Sequence, residues 1–303
     1  RFAMMNLEGT DPAKFDPGEM DITDKWILSR LAGTISEVTE SLEKFKYSEP
    51  LAGLYKFFWN DFCDWYLEWA KPRMQDERTR PIAQNVLAFV LDQTLRLLHP
   101  FIPFITEGIF QKLNEIAPVR ELRGLIEAKS SPALVVAEWP HRIDSFRQAD
   151  AEKQIDVVQA VIRAVRDIRN NRSMSPKELL VVSVKSQQEI VDILNPHAEL
   201  ICRLAGLKEF RAGTDIVKPE NAAVAIADVT EVYVHNVVDP HAERQRFEKQ
   251  KQQIEQAKKA VEAKLANEDF VTKAKPQVVA QAKEKLAQLA EQLETIEKHL
   301  SEL

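Results

Sequence analysis

The stretch Ser48–Pro72, SEPLAGLYKFFWNDFCDWYLEWAKP, constrains this chain more than any other, because it gathers large rings that are costly to leave in water. Counted with Tyr47, it holds three of the five tryptophans and three of the four tyrosines. Leu51, Leu54, Tyr55, Phe58, Phe62, Trp65, Tyr66 and Trp69 recur at steps of three and four, which places them on one broad helical face. Burying each ring contributes about 1.5–3 kcal/mol, so the face predicts a spine around which other helices collect. Ser48 is expected to cap the first turn, Pro50 is tolerated within it, and Pro72 is expected to stop the helix.

The flanking segments supply those neighbours. Arg1–Glu8 reads as helix without a start or cap, as though cut from a longer chain, and Asp11–Met20 reads as a loop rich in Pro and acids. A helix is expected from Asp24 to Lys46, capped by Thr23 or Asp21, with Leu28, Leu31, Ile35, Val38, Leu42 and Phe45 inward. Pro81–Leu98 is apolar almost all round, as a central bundle helix would be. His99–Pro100 ends it, and Pro103 opens a further helix that stops near Pro118. Short links between four helices predict an antiparallel helical bundle over residues 1–146. Residues 119–146 are irregular apart from a strand-like run, Leu134–Ala137.

The pattern changes after Gln148. A helix to Asn171 carries Ile155, Val158, Ile162, Val165 and Ile168 on one side. Strand signals follow at Leu179–Val184, Lys208–Ala212, Ala222–Ala227 and Val229–Val237, with a helix broken at Pro196 between the first two. Residues 147–239 therefore predict a small mixed α/β domain. From 240 to 303 glycine is absent, and Ala282, Leu286, Leu289, Leu293, Ile296, Leu300 and Leu303 form a heptad seam. Phe247, Ile254 and Val261 offer a matching face, and Asn267–Pro276 interrupts the pattern, so a C-terminal antiparallel coiled-coil hairpin is expected with Phe270 and Val271 at its tip.

Composition narrows the chemistry. The net charge of −6 argues against indiscriminate nucleic-acid binding without excluding a local basic surface. Cys63 and Cys202 form no CxxC pair and read as buried thiols, and the eight glycines make neither common phosphate loop. No apolar run is long enough for a membrane span and no signal pattern opens the chain, so a cytoplasmic location without membrane contact is expected. The six histidines form no metal pair, and His99 reads as a satisfied helix-end residue. Asp61, Asp64 and Glu68, with Lys71, read as a polar edge beside the aromatic stripe. Arg163, Arg166, Arg169 and Arg172 recur every third residue, either as a track for phosphates or as an ordinary ion-pairing face. Residues 244–285 hold eleven cations, among them Lys258, Lys259, Lys264, Lys273 and Lys275, against six carboxylates, which makes the arm the best candidate for RNA phosphates. A structural or protein-interaction module using the same hairpin is the alternative.

Several motifs occur together and in order: Arg1–Phe2, DKWILSRL (24–31), FWNDFCDWYLEWAKP (58–72), LLHPFIPFITEGIFQKL (97–113), EWP (138–140) and VEAKLANEDFVTKAKPQVV (261–279). Together they resemble the C-terminal part of the bacterial valyl-tRNA synthetase family of class I aminoacyl-tRNA synthetases. The bundle motifs alone are similar to those of the isoleucyl and leucyl families, and the hairpin points to valine. The resemblance implies an anticodon-binding bundle, a linking domain, and a coiled coil against the outer corner of tRNA. It also implies that Arg1 and Phe2 meet the anticodon by hydrogen bonding and stacking, which suits unstacked loop bases. The implied partners are valine tRNA and the upstream catalytic and editing domains of the same polypeptide, which is expected to be a monomer. ATP and Mg belong to that full-length enzyme. Its HIGH and KMSKS signatures have no counterpart here, so this chain alone is expected to be inactive and to hold no cofactor or metal.

Overall fold

The computed structural model describes residues 1–127, 130–227, 229–237 and 240–266, the last with backbone alone at 240–247, 249 and 250, and scattered residues between 281 and 293. It separates into two compact units, residues 1–163 with 188–206, and residues 164–187 with 207–303.

The first unit is helical. A short helix α1 (Phe2–Asn6) precedes α2 (Ile22–Glu43), and α3 (Ser48–Lys56) runs through a π-helical stretch (Phe57–Tyr66) into α4 (Leu67–Arg73). Next come α5 (Arg80–Leu98), α6 (Pro103–Ile116) and α7 (Ala149–Asn171), of which the part to Arg163 belongs here, and then α8 (Gln188–Leu194) and α9 (Ala198–Ala205). Asp21 caps α2 in a complete capping box: its carboxylate accepts from Thr23 and Asp24 amides, and Asp24 reaches back to the Asp21 amide. Helix α2 ends at Glu43 rather than Lys46 because the chain turns left-handed at Phe45 (φ 57°). The Lys46 amide then donates to Ser41 and the Phe45 amide to Leu42, a Schellman closure. This turn carries Phe45 out to solvent, contrary to its expected inward place.

Helix α2 packs on α3, the π stretch and α5, and α5 packs on α4 and α6. Every residue of α5 from Ile82 to Leu97 is buried, as its all-round apolar pattern predicts. The aromatic spine differs from expectation in its first half. Leu54, Phe57, Phe62, Trp65, Tyr66 and Trp69 are buried, whereas Leu51 and Tyr55 are exposed and Phe58 is half-buried. The π stretch explains the difference: its wider turn shifts the helical phase, so that Phe57 and Phe62, or Trp65 and Ala70, five apart, share the inner side. Ser48 is the first helical residue rather than the cap, and the helix runs one residue past Pro72. Leu134–Val136, expected as strand, is a 3₁₀ turn.

The second unit contains the rest of α7 and a four-stranded sheet in the order β2 (Leu207–Gly213), β1 (Leu180–Lys185), β4 (Thr230–Val234), β3 (Ala223–Ala227). Strands β1 and β2 are parallel, as a strand pair joined by a long connection can be, and β4 runs antiparallel to both β1 and β3. Val182, Val184, Phe210, Val232 and Val234 are buried, and so are Val165 and Ile168 of α7. The mixed α/β character read from the sequence is present. Helix α10 (Pro240–Ala266) follows, while the expected tip residues Phe270 and Val271 and the seam residues Ile296, Leu300 and Leu303 lie outside the described residues.

Candidate nucleic-acid interface

Helix α1 brings Arg1 and Phe2 to a defined place. The Asn6 amide side chain donates to the Phe2 carbonyl at 2.8 Å, and Gln84 of α5 donates to the Asn6 carbonyl at 2.6 Å. Leu7 is completely buried behind them, and Asn85 holds the following loop through the Asp11 carbonyl at 3.1 Å. Arg1 is exposed and Phe2 half-buried, which leaves a guanidinium and part of a ring for an outside ligand. Burial, and then the Asp64 carboxylate, push the Cys63 thiol up to about 11. Cys63 and Cys202 are both half-buried, less enclosed than the sequence suggests.

The carboxylates of the expected polar edge divide. Asp61 is buried and accepts from Arg30 Nε at 2.9 Å, and Arg30 also reaches Glu152 at 3.3 Å. Burial raises the Asp61 pKa, and Arg30 opposes it. Asp61 thus belongs to an internal network rather than to the surface. Asp64 is exposed, and Glu68 is half-buried and paired with the exposed Lys71. Deeper in, Arg73 grips Asp24 through both guanidinium nitrogens at 2.8 and 2.6 Å, and the Tyr66 hydroxyl donates to the same carboxylate at 2.9 Å. That buried pair fixes α4 against the start of α2. Asp92 plays the same part in α5, accepting from Arg96 at 2.7 Å and from Arg120 at 2.8 Å. Neither group was legible in the sequence, because the partners lie as far as 49 residues apart. His99 shares a hydrogen bond with Thr106 at 2.9 Å, as a satisfied helix-end residue would.

The three arginines of α7 and Arg172 just beyond it are not equivalent. Arg163 is exposed, its guanidinium 5.6 Å from the centre of the Trp65 ring and 2.5 Å from Gln159. Arg166 and Arg172 are half-buried, and Arg172 donates to the Val237 carbonyl at 3.3 Å. Arg169 is buried and donates to the carbonyls of Ser175 at 2.7 Å and Glu178 at 2.8 Å, closing the turn after α7. On α10, Lys259 and Lys264 are exposed and Lys258 is half-buried, 4.0 Å from Glu262. Lys251, Lys258, Lys259 and Lys264 face only Glu255 and Glu262 as opposite charges over 251–266. Lys273 and Lys275 lie outside the described residues. Among the described residues no group of His, Cys, Asp and Glu could hold a metal ion, and no helix is long and apolar enough to cross a membrane.

Residues 24–184 match the family model described as the anticodon-binding domain of tRNA ligase, and residues 239–303 match the valyl tRNA synthetase tRNA binding arm. The chain is 36% identical to a valine–tRNA ligase of Rhodopirellula baltica, covering all of this chain and 30% of that protein. It is 34% identical to that of Thermotoga maritima and 32% identical to that of Bacillus subtilis, again over its whole length and over 33% and 34% of theirs. The chain thus spans about a third of the length of these relatives.

Proposed function

This chain belongs to the valyl-tRNA synthetase family, with an anticodon-binding domain followed by a tRNA-binding arm, and from that premise we propose that it is the tRNA-recognition portion of a valine–tRNA ligase. The observation that carries the reading is the order of the two matches in one chain, an anticodon-binding domain and then an arm specific to the valyl enzymes. The anticodon-binding part extends over 1–146, a linking part over 147–239, and the arm over 240–303 as a coiled-coil hairpin. Arg1 and Phe2 meet unstacked anticodon bases, the ring by stacking and the guanidinium by contact with base edges. Lys71, Arg163, Arg166 and Arg172, with Lys258, Lys259, Lys264, Lys273 and Lys275 of the arm, supply cations for the phosphates of valine tRNA. Arg169, buried and donating through Nη1 to two backbone carbonyls, serves the fold.

The full-length polypeptide would join valine to its tRNA with ATP and magnesium and clear mischarged product, acting as a cytoplasmic monomer. The described residues offer neither a metal donor set nor a glycine cradle for that chemistry, so ATP and magnesium are proposed for the longer polypeptide's upstream catalytic domain alone. A filter-binding titration of the full-length polypeptide tests the reading. Valine tRNA is expected to bind at least about tenfold more tightly than tRNAs with unrelated anticodons, a gap of about 1.4 kcal/mol. Equal binding would sink it.

A further inference from the structure

Five large apolar side chains of the first unit stand in solvent on one built frame. Phe104 is 93% exposed and Val135 71%, and Ile102, Ile105 and Val136 are exposed beside them. They come from two segments, the start of α6 and the 3₁₀ turn at Leu134–Val136, which pack against each other. Glu107, one turn beyond Phe104, accepts the Leu134 amide at 3.0 Å and the Val135 amide at 3.2 Å. Gln111 donates to the Pro132 carbonyl at 2.8 Å and Asn114 to the Ser131 carbonyl at 3.0 Å. The Gln111 amide first, and then the Leu134 and Val135 amides, hold the Glu107 carboxyl below its ordinary range. Three polar side chains of one helix thus fasten the turn while the apolar groups are held outward.

The two segments that carry the apolar groups are also free of charge. No Asp, Glu, Lys or Arg occurs from Pro100 to Thr106 or from Ser130 to Ala137. Phosphate binding needs cations, so RNA is a poor occupant. Two free proteins need about 800 Å² each to form a stable interface, more than five side chains provide. A domain on the same polypeptide arrives at about millimolar effective concentration and needs far less contact. The relatives this chain matches are about three times its length. We infer that this face is the seat on which the remaining portion of the longer ligase polypeptide docks, through an apolar surface of its own. The inference rests on the reading of this chain as part of such a ligase.

Hydrogen exchange of segments 98–106 and 131–137 tests it, compared between the full-length polypeptide and this 303-residue chain, each with and without Phe104→Asp and Val135→Asp together. Exchange is expected to be at least about tenfold slower in the full-length polypeptide, and the double substitution should abolish that difference. In this chain the same substitutions should leave the urea midpoint unchanged, because the groups are already in water. Equal exchange in both unsubstituted chains would overturn the inference. So would protection that appears only on adding valine tRNA, or protection in this chain alone that grows with its concentration. Valine tRNA binding measured on the same full-length sample keeps the two readings apart. Its absence contradicts tRNA recognition, whereas equal exchange contradicts only the docking.

Discussion

Phe45 adopts φ 57° at the end of α2 with its ring 79% exposed, so it bears the strain of a left-handed residue and gains nothing from packing. Phe45→Gly should therefore stabilise the chain by about 1 kcal/mol, read as a higher urea midpoint. Asp24 makes the opposite case. It is buried and held by Arg73 and Tyr66, and Arg73→Ala would leave a buried carboxylate without its cation, at a cost of about 3–5 kcal/mol in denaturant unfolding. His197 is kept below its ordinary pKa by burial, against the pull of Asp21. The unfolded chain therefore takes up this proton more readily than the folded one. Stability contributed by neutral His197 is present above the ordinary histidine value and is lost as pH falls through the range between that value and the depressed one. The urea midpoint should drop across that range, and His197→Gln should make the drop smaller. At this scale the candidate site was partly legible. A regular spacing of arginines is visible in sequence, but which of them turns inward depends on the carbonyls of Ser175 and Glu178 beyond the helix end, and periodicity carries no such information.

The element that organises the first unit is the continuous run α3, π stretch and α4. Trp26 meets Trp69 edge to face at 5.0 Å, and Trp65 lies 5.5 Å from Trp69. Trp69→Ala should cost about 3–5 kcal/mol, while Tyr55→Ala, although on the same predicted stripe, should change stability by no more than about 0.5 kcal/mol. A pair of chemical unfolding curves decides this, and equal losses would contradict the phase shift at Phe57. The sequence marked this run as a buried helix because its second half keeps regular spacing. It could not mark the shift, since a wider turn depends on packing against α2 rather than on local residue preference. The strand-like run at Leu134–Ala137 failed for a related reason: four apolar residues in succession carry no period, and the amides of Leu134 and Val135 are claimed by Glu107. In the sheet, where β-branched runs are bounded by turns, β1, β2 and β3 fell within a residue of where the pattern placed them, while β4 stops at Val234, three residues short of the expected Val237, before the left-handed Asn236.

At the scale of the molecule, a chain of net charge −6 is proposed to bind a polyanion, which requires its cations to be gathered. The arm is where they gather. Replacing Lys259 and Lys264 by Ala should lower the magnitude of the slope of log affinity for valine tRNA against log salt by about 1 for each phosphate that the pair neutralises. An unchanged slope would remove both residues from the interface. The order of helical part and small sheet was legible, because each has its own period, three to four and two, while the seam of period seven lies outside the described residues. What most directly tests the tRNA reading is a hydroxyl-radical footprint of this chain on valine tRNA. Protection of the anticodon loop together with the outer corner is the predicted result, and protection of neither, or of the acceptor stem alone, would contradict it.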